Sequence, residues 1–220
     1  MTKPDRGYYS KSSLELAKNL LGYNLVHITE HGKLIGKIVE TEAYMGIHDK
    51  AAHSYNNTRT KRTEVMFGPP GHAYVYLIYG MYNCMNIVAA KTDVPQAVLI
   101  RALEPVEGME SMAQLRYKKN FHQCSKKELV GLSNGPGKLC QAMDISRNEN
   151  GLDLVNSKLF LLEGYPPAEA DIVTTTRINI GYAEEAVEFP YRFYIDSSPY
   201  VSVRVKQNKN DKRRKTNNKD

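Results

Sequence analysis

No stretch of this 220-residue chain approaches the eighteen consecutive apolar residues of a membrane-spanning helix, so no span is expected. The opening residues MTKPDRGYYS lack the charged-then-apolar layout of a secretory signal. Cysteine is scarce: Cys84, Cys124 and Cys140 are an odd, scattered set without a C-x-x-C pair. That set points to free thiols in a reducing compartment and away from a disulfide frame or zinc site. The expected location is the cytoplasm of a bacterium or the nucleus of a eukaryote, and not outside the cell. Internal repeats are absent, and no change of composition marks a boundary before residue 205. With 41% hydrophobic and 25% charged residues, residues 1–205 are expected to form one globular domain around one core.

Charge is unevenly placed. Residues 206–220, KQNKNDKRRKTNNKD, carry seven lysines and arginines against two aspartates, so +5 of the net +6 sits there. This tail has no apolar residue and is expected to be disordered. Basic tails attract polyanions but also serve as solubilising ends, so the sequence pI of about 9.0 says little about nucleic acid.

The stretch around which the rest is arranged is GHAYVYLIYGMYNCMNIVAA, residues 71–90. Two tyrosine- and aliphatic-rich runs flank Tyr79-Gly80, the pattern of a β-hairpin with a tight turn. Strand alternation puts Tyr74, Tyr76 and Ile78 on one face and Val75, Leu77 and Tyr79 on the other. A tyrosine beside the glycine at the tip is awkward in water and suited to a flat partner such as a base step. Taken alone, the stretch is better explained by tyrosines packed in a core, since tyrosine is a good strand former.

Around the hairpin, Ser12-Ser13-Leu14-Glu15 fits a capping box opening a helix that Gly22 closes. Strands are expected near 23–29 and 34–42, then a long polar excursion over 45–70 ending in Gly68-Pro69-Pro70-Gly71. A strand at 97–103 and helical spacing around 107–118 and 125–131 follow. Ser133 to Lys138 opens a short helix at 137–143; its glycine spacing and Leu139 exclude a nucleotide triphosphate loop, although Lys138 could hold one phosphate. Strands near 159–162, 172–178 and 191–195, with another after Ser198-Pro199, complete the reading.

Chemistry has few places to reside. In VETEAY, residues 39–44, an extended backbone projects Glu40, Glu42 and Tyr44 to one face. Taken alone, the six residues fit a solvated strand edge; a general base or a metal site is the functional alternative. His53 in AAHS is an acceptor, an acid or a packed histidine. Arg101, inside the apolar run VLIRAL, needs a buried partner, and Glu42 would satisfy it.

At this point the chain resembles a family. VETEAY (39–44), AAHS (51–54), MFGPPGHAYVYLIYGMYNCMNI (66–87), LIRALEP (99–105), SNGPGKLCQAM (133–143) and RFYIDSSPYVSV (192–203) are similar, in order, to the alkyladenine (3-methyladenine) DNA glycosylases. The resemblance implies an α+β fold: a single mixed domain with a curved antiparallel sheet, surrounding helices and a protruding hairpin that enters the DNA minor groove. It implies a monofunctional hydrolase of damaged purines (3-methyladenine, 7-methylguanine, hypoxanthine, ethenoadenine) that leaves an abasic site, with no cofactor, metal or Schiff base.

By position, the resemblance makes Glu42 the general base. Arg101 helps hold the attacking water, as does the carbonyl of Ile180. Tyr44, His53 and Tyr76 contact the flipped base, Asn86 crowds a guanine 2-amino group, and Tyr79 fills the gap left in the stack. Stacking of a cationic purine on tyrosines would then supply selectivity. The expected partner is duplex DNA bearing a damaged purine, and the expected state a monomer. Residues 55–64 and the tail fall outside the resemblance, and Asn83, inside the second hairpin strand, stands where an apolar residue is expected. Two rivals are a nuclease holding Mg²⁺ on Glu40, Glu42 and Asp49 and a non-catalytic binder that stacks bases on the hairpin.

Overall fold

Strand alternation builds this chain around one antiparallel sheet. The computed structural model describes residues 2–205, and the basic tail lies outside them. The strands are β1 (Asn24–Thr29), β2 (Gly32–Tyr44), β3 (Ala73–Ile78), β4 (Tyr82–Ala89), β5 (Gln96–Glu107), β6 (Leu159–Leu162), β7 (Ile172–Thr175) and β8 (Arg192–Ile195). Their order is β3-β4-β5-β2-β1-β6, with β8 added to β2 and β7 to β8. On one edge β2 pairs with β1 as far as Lys37, then with β8 over Glu40 to Glu42; β5 lines its other edge. The register with β5 shifts around Ile38, Glu40 and Thr41. Such irregularities bend a strand and redirect its side chains, and this one lies beside both candidate carboxylates. The sheet curls, and the α+β architecture expected from the resemblance is present.

Among the described residues five α-helices surround it: α1 (Arg6–Tyr9), α2 (Ser13–Asn19), α3 (Met109–Tyr117), α4 (Lys126–Val130) and α5 (Pro136–Ala142). The Ser12 hydroxyl caps α2 by accepting from the Glu15 N–H at 3.2 Å. Ser125 and Glu128 cap α4 reciprocally. A proline in the first turn starts α5, where its missing N–H costs nothing. Leu16, Leu20, Ile38, Ile87, Ile100 and Leu139 belong to the main core. A second cluster holds Met66, Phe67, Tyr74 and Val88, with Tyr76 packed on it. Val75 falls in the first cluster and Tyr74 in the second, so β3 has the two faces its alternation predicts. Among the described residues no helix is long and apolar enough to cross a membrane.

Two expected strands differ. The one placed over 172–178 stops at Thr175, because the chain turns there so that the Ile178 N–H meets a carboxylate. The segment after Pro199 forms no strand. Its Ser202 N–H is bonded to the Glu40 side chain, outside any ladder. The polar excursion after β2 contains three short 3₁₀ turns, Gly46–His48, Tyr55–Asn57 and Glu64–Phe67.

Candidate functional site

The hairpin of β3 and β4 carries the most exposed aromatic tip on the sheet. Tyr79 has φ +53° and Gly80 φ +71°. Left-handed conformation at both central residues is what a type I′ hairpin turn requires. Glycine adopts it freely, whereas a tyrosine carries roughly 1–2 kcal/mol of strain. Tyr79 is nevertheless 75% exposed, with Met81, Tyr82 and Leu77 exposed beside it. Neither core packing nor backbone preference accounts for a strained tyrosine in water, and strain of this kind accompanies functional sites. Farther back, Gly137 lets α5 approach the hairpin, since a Cβ there would sit 3.1 Å from the Tyr82 ring.

Beneath the tip lies a cleft of about 680 Å³ lined by Tyr44, His53, Tyr76, Tyr82, Arg101 and Ile180, among others. A smaller chamber shares Tyr44, His53 and Tyr76 with it and adds Tyr74 and Asn86. Its volume is about 40 Å³. Asn86 is buried there and donates to the Tyr74 carbonyl at 3.1 Å.

The solvated edge that VETEAY alone suggests is not what forms. Glu40 and Glu42 are both fully buried. Glu42 Oε1 accepts from the Ile178 N–H at 2.8 Å and lies 3.3 Å from Arg101 Nη1, while Oε2 accepts from the Tyr44 hydroxyl at 2.9 Å. Arg101 is shared, because its Nε donates to Glu40 Oε1 at 3.1 Å. Glu40 also accepts from Arg192, from the Ser202 hydroxyl and from the Ser202 N–H. Burial opposes the Arg101 charge, yet the two carboxylates more than offset it and its pKa is raised. Burial, reinforced by Glu42, pushes the Tyr44 phenol well up, so it remains a donor.

Behind Tyr44 stands a second ion pair. Arg177 donates to both oxygens of Asp49, at 2.6 and 2.8 Å, and to the Ala43 carbonyl at 3.0 Å. Its guanidinium lies 4.9 Å from the centre of the Tyr44 ring. The pair thus fixes the ring and, through Arg177's neighbour Ile178, the carboxylate beyond it. Asp49 is occupied by an arginine and Glu40 by two, so the Mg²⁺ set of the nuclease reading is not assembled. Among the described residues no group of three His, Cys, Asp or Glu gathers in metal-ligand fashion.

His53 meets Tyr76 edge-on, with ring centres 4.6 Å apart. Its Nδ1 lies 2.9 Å from the Tyr74 hydroxyl and its Nε2 lies 3.3 Å from Arg62 Nη2. Burial, with a further contribution from the Arg62 charge, lowers its pKa to about 4. The ring is therefore neutral near pH 7. Because arginine only donates, Nε2 accepts and Nδ1 carries the proton. Ile180 is buried against Ala51 and Ala183, and its carbonyl accepts from the Ala183 N–H while keeping a second lone pair.

The structure therefore brings Glu42, Arg101, Ile180, Tyr44, His53 and Tyr76 around one cleft, with Asn86 at its inner end and Tyr79 on the overhanging hairpin. Glu42 itself is screened from the cleft by the residues that line it. Sequence reasoning passed over Arg177 and the paired role of Asp49; the arginine that opens RINIG, residues 177–181, was the available signal. It also passed over Tyr182, 68% exposed on the cleft wall, and Arg116, which lines the cleft with Lys138.

Comparison with known proteins agrees with the resemblance. Residues 7–199 match the family model described as "Methylpurine-DNA glycosylase". A protein of Alkaliphilus oremlandii named "Putative 3-methyladenine DNA glycosylase" is 56% identical over 201 residues, 91% of this chain and 98% of the relative. Proteins of the same name from Desulfitobacterium hafniense and Clostridium novyi are 52% and 48% identical, over 93% and 92% of this chain and 100% and 99% of their own.

Proposed function

The chain belongs to the methylpurine-DNA glycosylase family, and from that premise we propose that it is a monofunctional glycosylase acting on damaged purines in duplex DNA. The observation that carries this reading is Glu42, a fully buried carboxylate held by Ile178, Tyr44 and Arg101 beside an aromatic cleft. Burial of this kind, with the Arg101 guanidinium shared between Glu42 and Glu40, suits a general base better than a structural ion pair.

Tyr79 enters the duplex and takes the place of the target nucleotide, which rotates into the cleft. Its base lies among Tyr44, His53 and Tyr76, with Asn86 crowding an added 2-amino group. A water bound by Glu42, Arg101 and the Ile180 carbonyl attacks C1′. The C1′–N9 bond breaks with its electron pair leaving on the base, and Glu42 takes the water proton. An ionised Glu42 also stabilises the oxocarbenium-like sugar. Since Glu42 is covered, admission of the water goes with a rearrangement of the cleft lining as the base enters. The product is an abasic site, and no lysine adduct or metal enters the scheme. The substrate range is 3-methyladenine, 7-methylguanine, hypoxanthine and ethenoadenine, and the protein acts as a monomer.

The test is a gel assay on duplexes with single lesions. Strands should remain intact until alkali reveals abasic sites, with excision unchanged in excess EDTA. Strand cleavage without alkali that EDTA abolishes would overturn the proposal in favour of a metal-dependent nuclease.

A further inference from the structure

Both tyrosine walls of the cleft stand against a guanidinium, and the two cations differ in one respect. Arg177, against Tyr44, is buried and neutralised by Asp49 through two hydrogen bonds. Arg62 lies 5.1 Å from the centre of the Tyr76 ring and 3.3 Å from His53 Nε2. Among the described residues no carboxylate lies within ion-pair distance of it, although nearby Arg59 pairs with Glu64 and Asp93. Tyr76 and His53 line the cleft whereas Arg62 does not. An entering base therefore meets the rings without displacing the arginine.

We infer, resting on the function proposed above, that Arg62 is a specificity-determining residue. Its uncompensated charge behind the Tyr76–His53 wall selects against positively charged purines relative to neutral ones. Stacking attracts a cation to a ring because the ring face is electron-rich. A fixed cation on the same ring opposes that attraction directly and repels a second cation across it. Glu42 acts in the other direction, drawing cationic bases toward the inner cleft. Selectivity is then a balance between the two, in which 7-methylguanine feels Arg62 and hypoxanthine does not. The 3.3 Å approach of Arg62 to His53 Nε2 and its place over the Tyr76 ring bring this charge to the wall.

Arg62 is exposed on the 55–64 segment, so its replacement should leave the fold intact. Arg62→Gln removes the charge, and Arg62→Lys keeps it. Single-turnover excision of 7-methylguanine and hypoxanthine from otherwise identical duplexes gives the ratio of their specificity constants, in which nonspecific DNA binding cancels. The ratio should rise about two- to fivefold in favour of 7-methylguanine in Arg62→Gln, the scale of a screened surface charge, and stay near the parent value in Arg62→Lys. An unchanged ratio, or equal loss on both lesions, would overturn the inference and make Arg62 a backbone contact or a structural residue. NMR titration of His53 without DNA is independent of activity: its midpoint should move up in Arg62→Gln, and no movement also overturns the inference. Failure of the parent to excise either lesion would instead overturn the proposed function.

Discussion

Tyr44 donates its hydroxyl proton to Glu42 Oε2 at 2.9 Å, so a wall of the aromatic cleft and the candidate general base form one hydrogen-bonded unit. Two residues apart on β2, they project to the same face. The Arg177–Asp49 pair fixes the far side of the ring, and Arg101 together with the Ile178 N–H fixes the other carboxylate oxygen. A base that stacks on Tyr44 therefore acts directly on the group that would activate water.

Arg101 answers two buried carboxylates, so its loss should be felt in stability as well as in excision. Arg101→Met leaves Glu40 with Arg192 but deprives Glu42 of its guanidinium. Breaking a buried pair from one side costs about 3–5 kcal/mol. Urea unfolding of the parent and variant should show a loss of that order. A change below about 1 kcal/mol, the scale of exposed pairs, would mean that the pair is far better solvated than its burial implies.

His53 makes stability depend on pH in a defined direction. Its folded pKa is about 4, below the ~6.5 of an unperturbed histidine. Between those values the unfolded chain binds more protons, so stability is full above about pH 6.5 and declines as pH falls toward 4. Buried His27, also lowered by burial, acts with the same sign. Melting temperature should drop between pH 7 and pH 5, and the drop should be smaller in His53→Gln. An equal drop in the variant would assign the effect to other groups.

The hairpin was the most legible part of the sequence, because period-two alternation separates Val75 from Tyr74 and Tyr76 without any long-range knowledge. The fate of Glu40 and Glu42 was not. Six residues of β2 do not reveal that Arg101 from β5, Arg192 from β8 and Ser202 from the last described segment converge on them. The same convergence explains the missing strand after Pro199, whose backbone satisfies a side-chain carboxylate. Ile178 ends β7 early for the same reason. Local pattern specifies strands and faces, whereas buried charge is settled by partners distant in the chain.

Tyr79, left-handed and 75% exposed, should contribute to DNA and not to the fold. Base–aromatic stacking is worth roughly 1–3 kcal/mol. Tyr79→Ser should thus weaken lesion-specific affinity about tenfold or more. Thermal stability and binding to undamaged duplex should change little. A large fall in melting temperature with unchanged base flipping, followed by a fluorescent purine analogue, would contradict the wedge.

The account rests on Glu42 as the general base, and Glu42→Gln tests that most directly. Glutamine keeps the shape and can still accept from Tyr44 or Ile178 through its carbonyl oxygen, but it cannot take the water proton. Single-turnover excision from a lesion-bearing duplex should slow by at least about a hundredfold, with lesion binding retained. Excision within a few-fold of the parent would contradict the assignment.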